Sequence, residues 1–300
     1  MSLPKSLSVF APAKINLYLH VTGKRDDGYH LLDSLVCFAD IGDTITIEED
    51  SVLSFHIEGP FARAFSKSDS DASKNSSNLV IRALWALADA SNNTPDFRLI
   101  LKKNMPLSSG LGGGSADAAA ILWALMQWWN ISPEPAYLSD IMADLGSDVA
   151  ACYACKTLHM GGIGNELSPA PHLPELNVLL VHPGKASSTK DVYQSYARPF
   201  SEKTKIPEQF DSTDDFIAFL KSTSNDLTET AIHHLPDIQT VLDILSAQGK
   251  ALITRMSGSG STCFALFEND QDCMDAAENI IRDHPDWWVR CGTIGTPVRY

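Results

Sequence analysis

An α+β fold in two domains is predicted for this 300-residue chain by three observations. Strand patterns that suit an antiparallel sheet fill residues 11–57, and a loop with four glycines between Gly110 and Gly114 runs into an alanine-rich helix. The chain then closes on a strand, a helix and a strand, which resembles part of a ferredoxin-like split βαβ layer. Composition agrees: 44% apolar and 20% charged residues describe an ordinary soluble globule long enough for two cores.

The elements follow in order. In APAKINLYLHV, from Ala11, Ile15, Leu17, Leu19 and Val21 alternate with Lys14, Asn16, Tyr18 and His20, which predicts a strand with one core face and one polar face. A charged loop, GKRDDGYH, leads to runs at 31–38, 44–48 and 52–57 that read as further antiparallel strands. The serine-rich stretch 66–78 reads as a solvated loop, followed by a helix carrying Leu79, Ala83, Ala86 and Ala90 and a strand at 97–102. Helices are expected at 115–129, after Ser132-Pro133, and from about Ser147. Prolines cluster at 169–174 and mark the change of domain, dividing 1–168 from 169–300. Beyond them come a buried strand at 177–182, helices at 213–221 and 237–248, and the closing strand, helix and strand at 262–267, 271–283 and 287–294.

Charge narrows the partners. Lysine and arginine number 23 against 37 acidic residues, a formal charge of −14, which repels polyanions and argues against nucleic-acid binding. An anionic small substrate requires lysines gathered in one cleft. The amino terminus lacks a signal-peptide pattern and no apolar run approaches bilayer length, so a cytoplasmic protein with no membrane partner and reduced cysteines is expected. Cys152 and Cys155, with His159 beyond, have metal-like spacing, but no second C-x-x-C completes a zinc set; they read as core residues and no metal ligands are assigned.

The glycine loop, PLSSGLGGGSA from Pro106, lacks the lysine of a Walker A loop. It also lacks the third glycine and the parallel βαβ setting of a dinucleotide fingerprint. What remains is a backbone that turns N–H groups toward an anion at a helix start, with a structural turn as the competing reading. Asp117, in the first helical turn, suits the helix dipole only if its charge points away from a bound phosphate.

PAKINL from Pro12, PLSSGLGGGSA from Pro106 and SGSGSTCF from Ser257 together resemble the three motifs of the GHMP small-molecule kinases. AKINLYL with GYHLL from Gly28, LGSDV from Leu145 and HPG from His182 resembles, more narrowly, the branch of that family acting on a diphosphocytidyl methylerythritol. The resemblance spans about residues 11–267 in order. It implies an N-terminal nucleotide-binding domain with a mixed sheet and helices, and a C-terminal ferredoxin-like substrate domain. It also implies ATP as co-substrate, Mg²⁺, and phosphorylation of the 2-hydroxyl of 4-diphosphocytidyl-2-C-methyl-D-erythritol in the non-mevalonate isoprenoid route.

Carried over by position, the resemblance makes Lys14 and Asp148 the catalytic pair. A carboxylate can orient or deprotonate the attacking hydroxyl, and an ammonium stabilises growing negative charge. It makes Pro106, Leu107, Ser108, Ser109, Gly110, Leu111, Gly112, Gly113, Gly114, Ser115 and Ala116 the ATP-binding loop, with Lys103 a basic neighbour of the nucleotide and Ser115 near the phosphates and Mg²⁺. Asn16, Tyr29, His30 and Thr189 become substrate residues, Tyr29 and His30 for cytidine. Without the motifs, Asp148 reads as a helix cap, and Lys14 and Lys103 as solvated strand residues. One departure is Asn165, in GIGNE, where the family pattern has an acid; another is the use of serines in SGSGS. A GHMP kinase for another alcohol and a silent nucleotide-binding paralogue are the alternatives. Tyr29-His30 speaks against the first, and retention of both Lys14 and Asp148 against the second.

Overall fold

The computed structural model describes residues 6–131 and 136–296. Two long strands, β1 (Ser6–Lys24) and β2 (His30–Glu49), pair antiparallel along nearly their whole length. The runs at 31–38 and 44–48 are thus one strand, bent by register shifts at Pro12/Ala13, Asn16/Tyr18 and Val21/Gly23 of its partner. Such bulges re-aim side chains. Around the one at Leu17, Tyr18 joins Ile15 and Leu17 in a single core cluster. The face read as polar is therefore not solvated; Lys14 and Asn16 are both buried.

β3 (Ser54–Glu58) pairs with β4 (Phe97–Lys102) in parallel, through α1 (Leu79–Ser91). This corrects the antiparallel expectation for 52–57: an alternating pattern reports a buried face, not the direction of the neighbour. The serine-rich loop ends at Asn78, whose side chain accepts from Val80 N–H and caps α1. The glycine loop opens α2 (Gly113–Trp128), two residues earlier than expected. α2 is apolar on nearly every side because it packs between α1, β1 and α4 (Val149–Ala154), and its alanines let these elements approach closely. Before α4 comes α3 (Tyr137–Leu145); the helix start expected after Ser132-Pro133 falls outside the described residues. β5 (Leu158–Gly162) and β6 (Glu166–Pro169) complete the first sheet.

The second sheet begins at β7 (Leu176–His182). It is followed by α5 (Thr189–Gln194), α6 (Thr213–Lys221), α7 (Thr228–His234) and α8 (Asp237–Ser246). Then come β8 (Ile253–Met256), β9 (Cys263–Phe267), α9 (Asp270–Asp283) and β10 (Trp288–Ile294). The strand order β10-β7-β9-β8, antiparallel throughout, is that of a ferredoxin-like split βαβ layer. Val178 and Leu180 of β7, with Phe264 and Leu266 of β9, share a core with Ala13 and Ile15 of the first sheet. Leu179, Val181, Cys263 and Ala265 point the other way, onto α7, α8 and α9. Burial on both faces explains why these strands read as continuous apolar runs. The result is four layers, helix, sheet, sheet and helix. Arg255 locks them: its buried guanidinium donates to the carbonyls of Leu17, Leu220 and Thr223, and burial pulls its pKa down to about 10.

Candidate active site

A cleft of about 1830 Å³ runs across the junction of the two sheets and collects residues from β1, the 106–116 loop, α4, α5 and the late SGSGS motif. On its floor the Lys14 ammonium lies 2.9 Å from Asp148 Oδ2. Lys14 is held by β1, its N–H donating to Leu111 O of the glycine loop at 2.9 Å. Asp148 precedes α4 but makes no capping hydrogen bond, so the cap reading fails. Its carboxylate is 30% exposed while the lysine is 4% exposed, which leaves the acid facing the cleft and the ammonium behind it.

The loop around Lys14 is backbone-built. Gly112 adopts φ +63° as the N-cap of α2 and has no side chain to cap it, so the N–H groups of the first turn remain available. Gly110, at φ +79°, lies against the late motif; an added Cβ there would collide with the Ser257 carbonyl oxygen. Ser257 Oγ donates to Gly110 O at 3.0 Å, and Thr262 N–H donates to Ser109 O at 3.0 Å. The late motif thus abuts the glycine loop itself.

Lys103 lies beneath this loop, where its ammonium contacts Asp43 Oδ2 at 2.5 Å and Asp117 Oδ2 at 2.7 Å. It is not a solvated strand end: its ammonium is held by two acidic side chains while the residue lines the cleft beside the loop. Asp43 Oδ1 also accepts from the N–H groups of Asn104 and Met105. Asp117 Oδ1 is buried with no partner among the described residues, and burial pushes this carboxyl up to about 8 against the pull of Lys103. Its Oδ2 is directed at Lys103.

At the other end of the cleft, His30 is buried and packs on Tyr193 at 5.5 Å between ring centroids and on Tyr196 at 5.7 Å. Burial and nearby Lys24 push its imidazole below its usual range, so it is neutral at pH 7. Tyr29 is 61% exposed, its ring open to the cleft. Burial and the nearby Asp148 push the Tyr193 hydroxyl up. Thr189 Oγ1 lies 2.8 Å from Ser259 Oγ, which staples the start of α5 to the late motif. The rest of the 183–189 loop turns away from the cleft: Lys185 pairs with Asp237, Ser187 is buried and Ser188 caps α5.

Asn165 lines the cleft, its Oδ1 accepting from Ile163 N–H. Lys24, Lys190 and Tyr193 also line the cleft and were missed in the sequence, and Ser259 brings the SGSGS motif into it. Tyr193 had a signal available, since it lies four residues after Thr189 on one face of α5. Among the described residues no three His, Cys, Asp or Glu side chains cluster as a metal cage, and no helix is long and apolar enough to cross a membrane.

Comparison with known proteins decides the family. The model of the GHMP kinases N terminal domain matches residues 78–156, and that of the GHMP kinases C terminal matches 214–286. The 4-diphosphocytidyl-2-C-methyl-D-erythritol kinase of Chelativorans sp. (strain BNC1) is 42% identical over 95% of this chain and 94% of its own length. This chain belongs to the 4-diphosphocytidyl-2-C-methyl-D-erythritol kinase family of GHMP kinases. Another member, from Rhizobium meliloti (strain 1021), is 42% identical over 95% and 94% of the two chains. A crystal structure of a 4-(cytidine 5'-diphospho)-2C-methyl-D-erythritol kinase superposes with TM-score 0.76 at 30% identity, covering 97% of this chain and 100% of that one. Homoserine kinase from Cytophaga hutchinsonii shares the fold, with TM-score 0.68 at 17% identity over 98% and 96% of the chains. The members of the family are small-molecule kinases, and so is this chain.

Proposed function

We propose that this chain transfers the γ-phosphoryl group of ATP to the 2-hydroxyl of 4-diphosphocytidyl-2-C-methyl-D-erythritol, giving the 2-phosphate and ADP, a step of the non-mevalonate route to isoprenoid precursors. The observation that carries the reading is the Lys14–Asp148 pair, set between a backbone anion cradle and an aromatic pocket. The cradle at 106–116 receives the phosphates, and Tyr29, His30 and Tyr193 receive the cytosine, whose flat face suits stacked rings. In a chain of charge −14, Lys14, Lys24 and Lys190 supply local positive charge for an anionic substrate.

With the alcohol bound, Asp148 accepts a hydrogen bond from its hydroxyl and takes the proton as the oxygen attacks phosphorus. Lys14, at 2.9 Å from Asp148, holds the carboxylate in place and stabilises the negative charge that grows on the transferring group. Mg²⁺ arriving with the nucleotide would neutralise phosphate charge. The Ser115 hydroxyl, in the first turn of α2, is the protein oxygen suited to it. We place the domains at 1–168 and 169–300, supported by the change of sheet between Pro169 and Leu176.

The test is ADP release with ATP, Mg²⁺ and the diphosphocytidyl alcohol, set beside homoserine and mevalonate. Turnover is expected with the first alone. Turnover confined to another alcohol, or none at all, would sink the reading.

A further inference from the structure

Asn16 is fully buried at the edge of the cleft, two residues from Lys14, and two serines hold it. Ser257 Oγ gives its one proton to Gly110 O at 3.0 Å and so can only accept from Asn16 N–H, 3.2 Å away. Ser34 repeats this logic on the side chain. Its Oγ lies 2.5 Å from Tyr18 O, a carbonyl that can only accept, and 2.8 Å from the Asn16 carboxamide. The hydroxyl proton goes to Tyr18, so the group presented to Ser34 must be the donor, Nδ2. A flipped amide would set Oδ1 against an oxygen with no proton to offer. Oδ1 therefore points the other way, toward Gly258, buried and with no partner among the described residues. A buried acceptor left unpaired is costly until a donor arrives.

We infer that Ser34 is a positioning residue: it fixes the Asn16 carboxamide so that Oδ1, held at the cleft wall beside Gly258, is the acceptor kept for a hydroxyl of the alcohol substrate. This rests on the kinase reading above. Ser34 is fully buried and does not line the cleft, so it acts through Asn16.

Steady-state kinetics test it, together with the side-chain amide signal of Asn16 in ¹⁵N-labelled protein, assigned by its loss in Asn16→Asp. Ser34→Ala is expected to lower kcat/KM for the diphosphocytidyl alcohol about tenfold while KM for ATP stays within about twofold, and Ser34→Thr to restore most of the loss. In ligand-free wild type, the two Asn16 amide protons should be separate and protected from exchange; in Ser34→Ala they should merge or exchange fast. An unchanged kcat/KM for the alcohol, an equal loss toward ATP, or an amide signal indifferent to Ser34 would overturn the inference. Should Ser34→Ala unfold, the wild-type signal decides alone, unprotected amide protons counting against it. Failure of the wild type to use this alcohol would remove the kinase reading, and the amide signal would still decide the positioning.

Discussion

Between Pro106 and Ala116 the cleft offers backbone N–H groups at a helix start, shaped by glycines and braced by hydrogen bonds that the late motif donates to the loop's carbonyls, whereas around His30 it offers rings and lysines carried on side chains. A phosphate is the same in every nucleotide, and backbone can recognise it with no variable group. A cytidine-bearing alcohol differs from homoserine or mevalonate, and telling them apart requires side chains. Lys14 and Asp148 stand between the two ends and belong to neither.

That contrast can be broken at its centre first. Asp148→Asn and Lys14→Ala should each lower kcat by roughly a hundredfold or more while ATP affinity, read by isothermal titration, shifts by less than about threefold. At the backbone end, Gly110→Ala adds a Cβ into the Ser257 carbonyl at a left-handed φ of +79°. A loss of about 2–3 kcal/mol in urea unfolding is expected, with weakened ATP binding. At the side-chain end, Tyr29→Ala should raise KM for the diphosphocytidyl alcohol by an amount worth about 1–3 kcal/mol, the scale of base stacking on an aromatic ring. Its KM for ATP and its stability should hardly change, because the ring is exposed.

The pH dependence turns on the acid beneath the loop. Asp117 is raised to about 8 in the folded protein, above the roughly 3.9 of an unfolded aspartate. Its contribution is thus complete below about pH 4 and is lost as pH rises through about 8. Asp117→Asn should flatten the fall in urea midpoint between those values. A steeper fall would contradict the raised pKa.

Much of the fold was legible because its patterns are local. The helix carrying Leu79 and the closing strand, helix and strand appear within a residue or two of their expected places. The bulge at Leu17 and the parallel pairing of β3 were not, since both are set by the partner strand rather than by the residues themselves. At the site, the motifs singled out Lys14 and Asp148, and the fold brings them to 2.9 Å. Asp43, 60 residues from Lys103, could not be seen as its partner. Ser34 carries no motif, and only its contact with Asn16 gives it a role to test.

The staple from Ser257 to Gly110 joins residues 147 apart, and that from Ser257 to Asn16 residues 241 apart. A ribosome making this chain releases the glycine loop long before the segment that braces it. Contacts of such long range close late and at high entropic cost. The glycine loop can therefore be braced only after Ser257 has emerged, so a chain stalled before it would carry the loop, Lys14 and Asp148 yet lack the contacts that hold the loop.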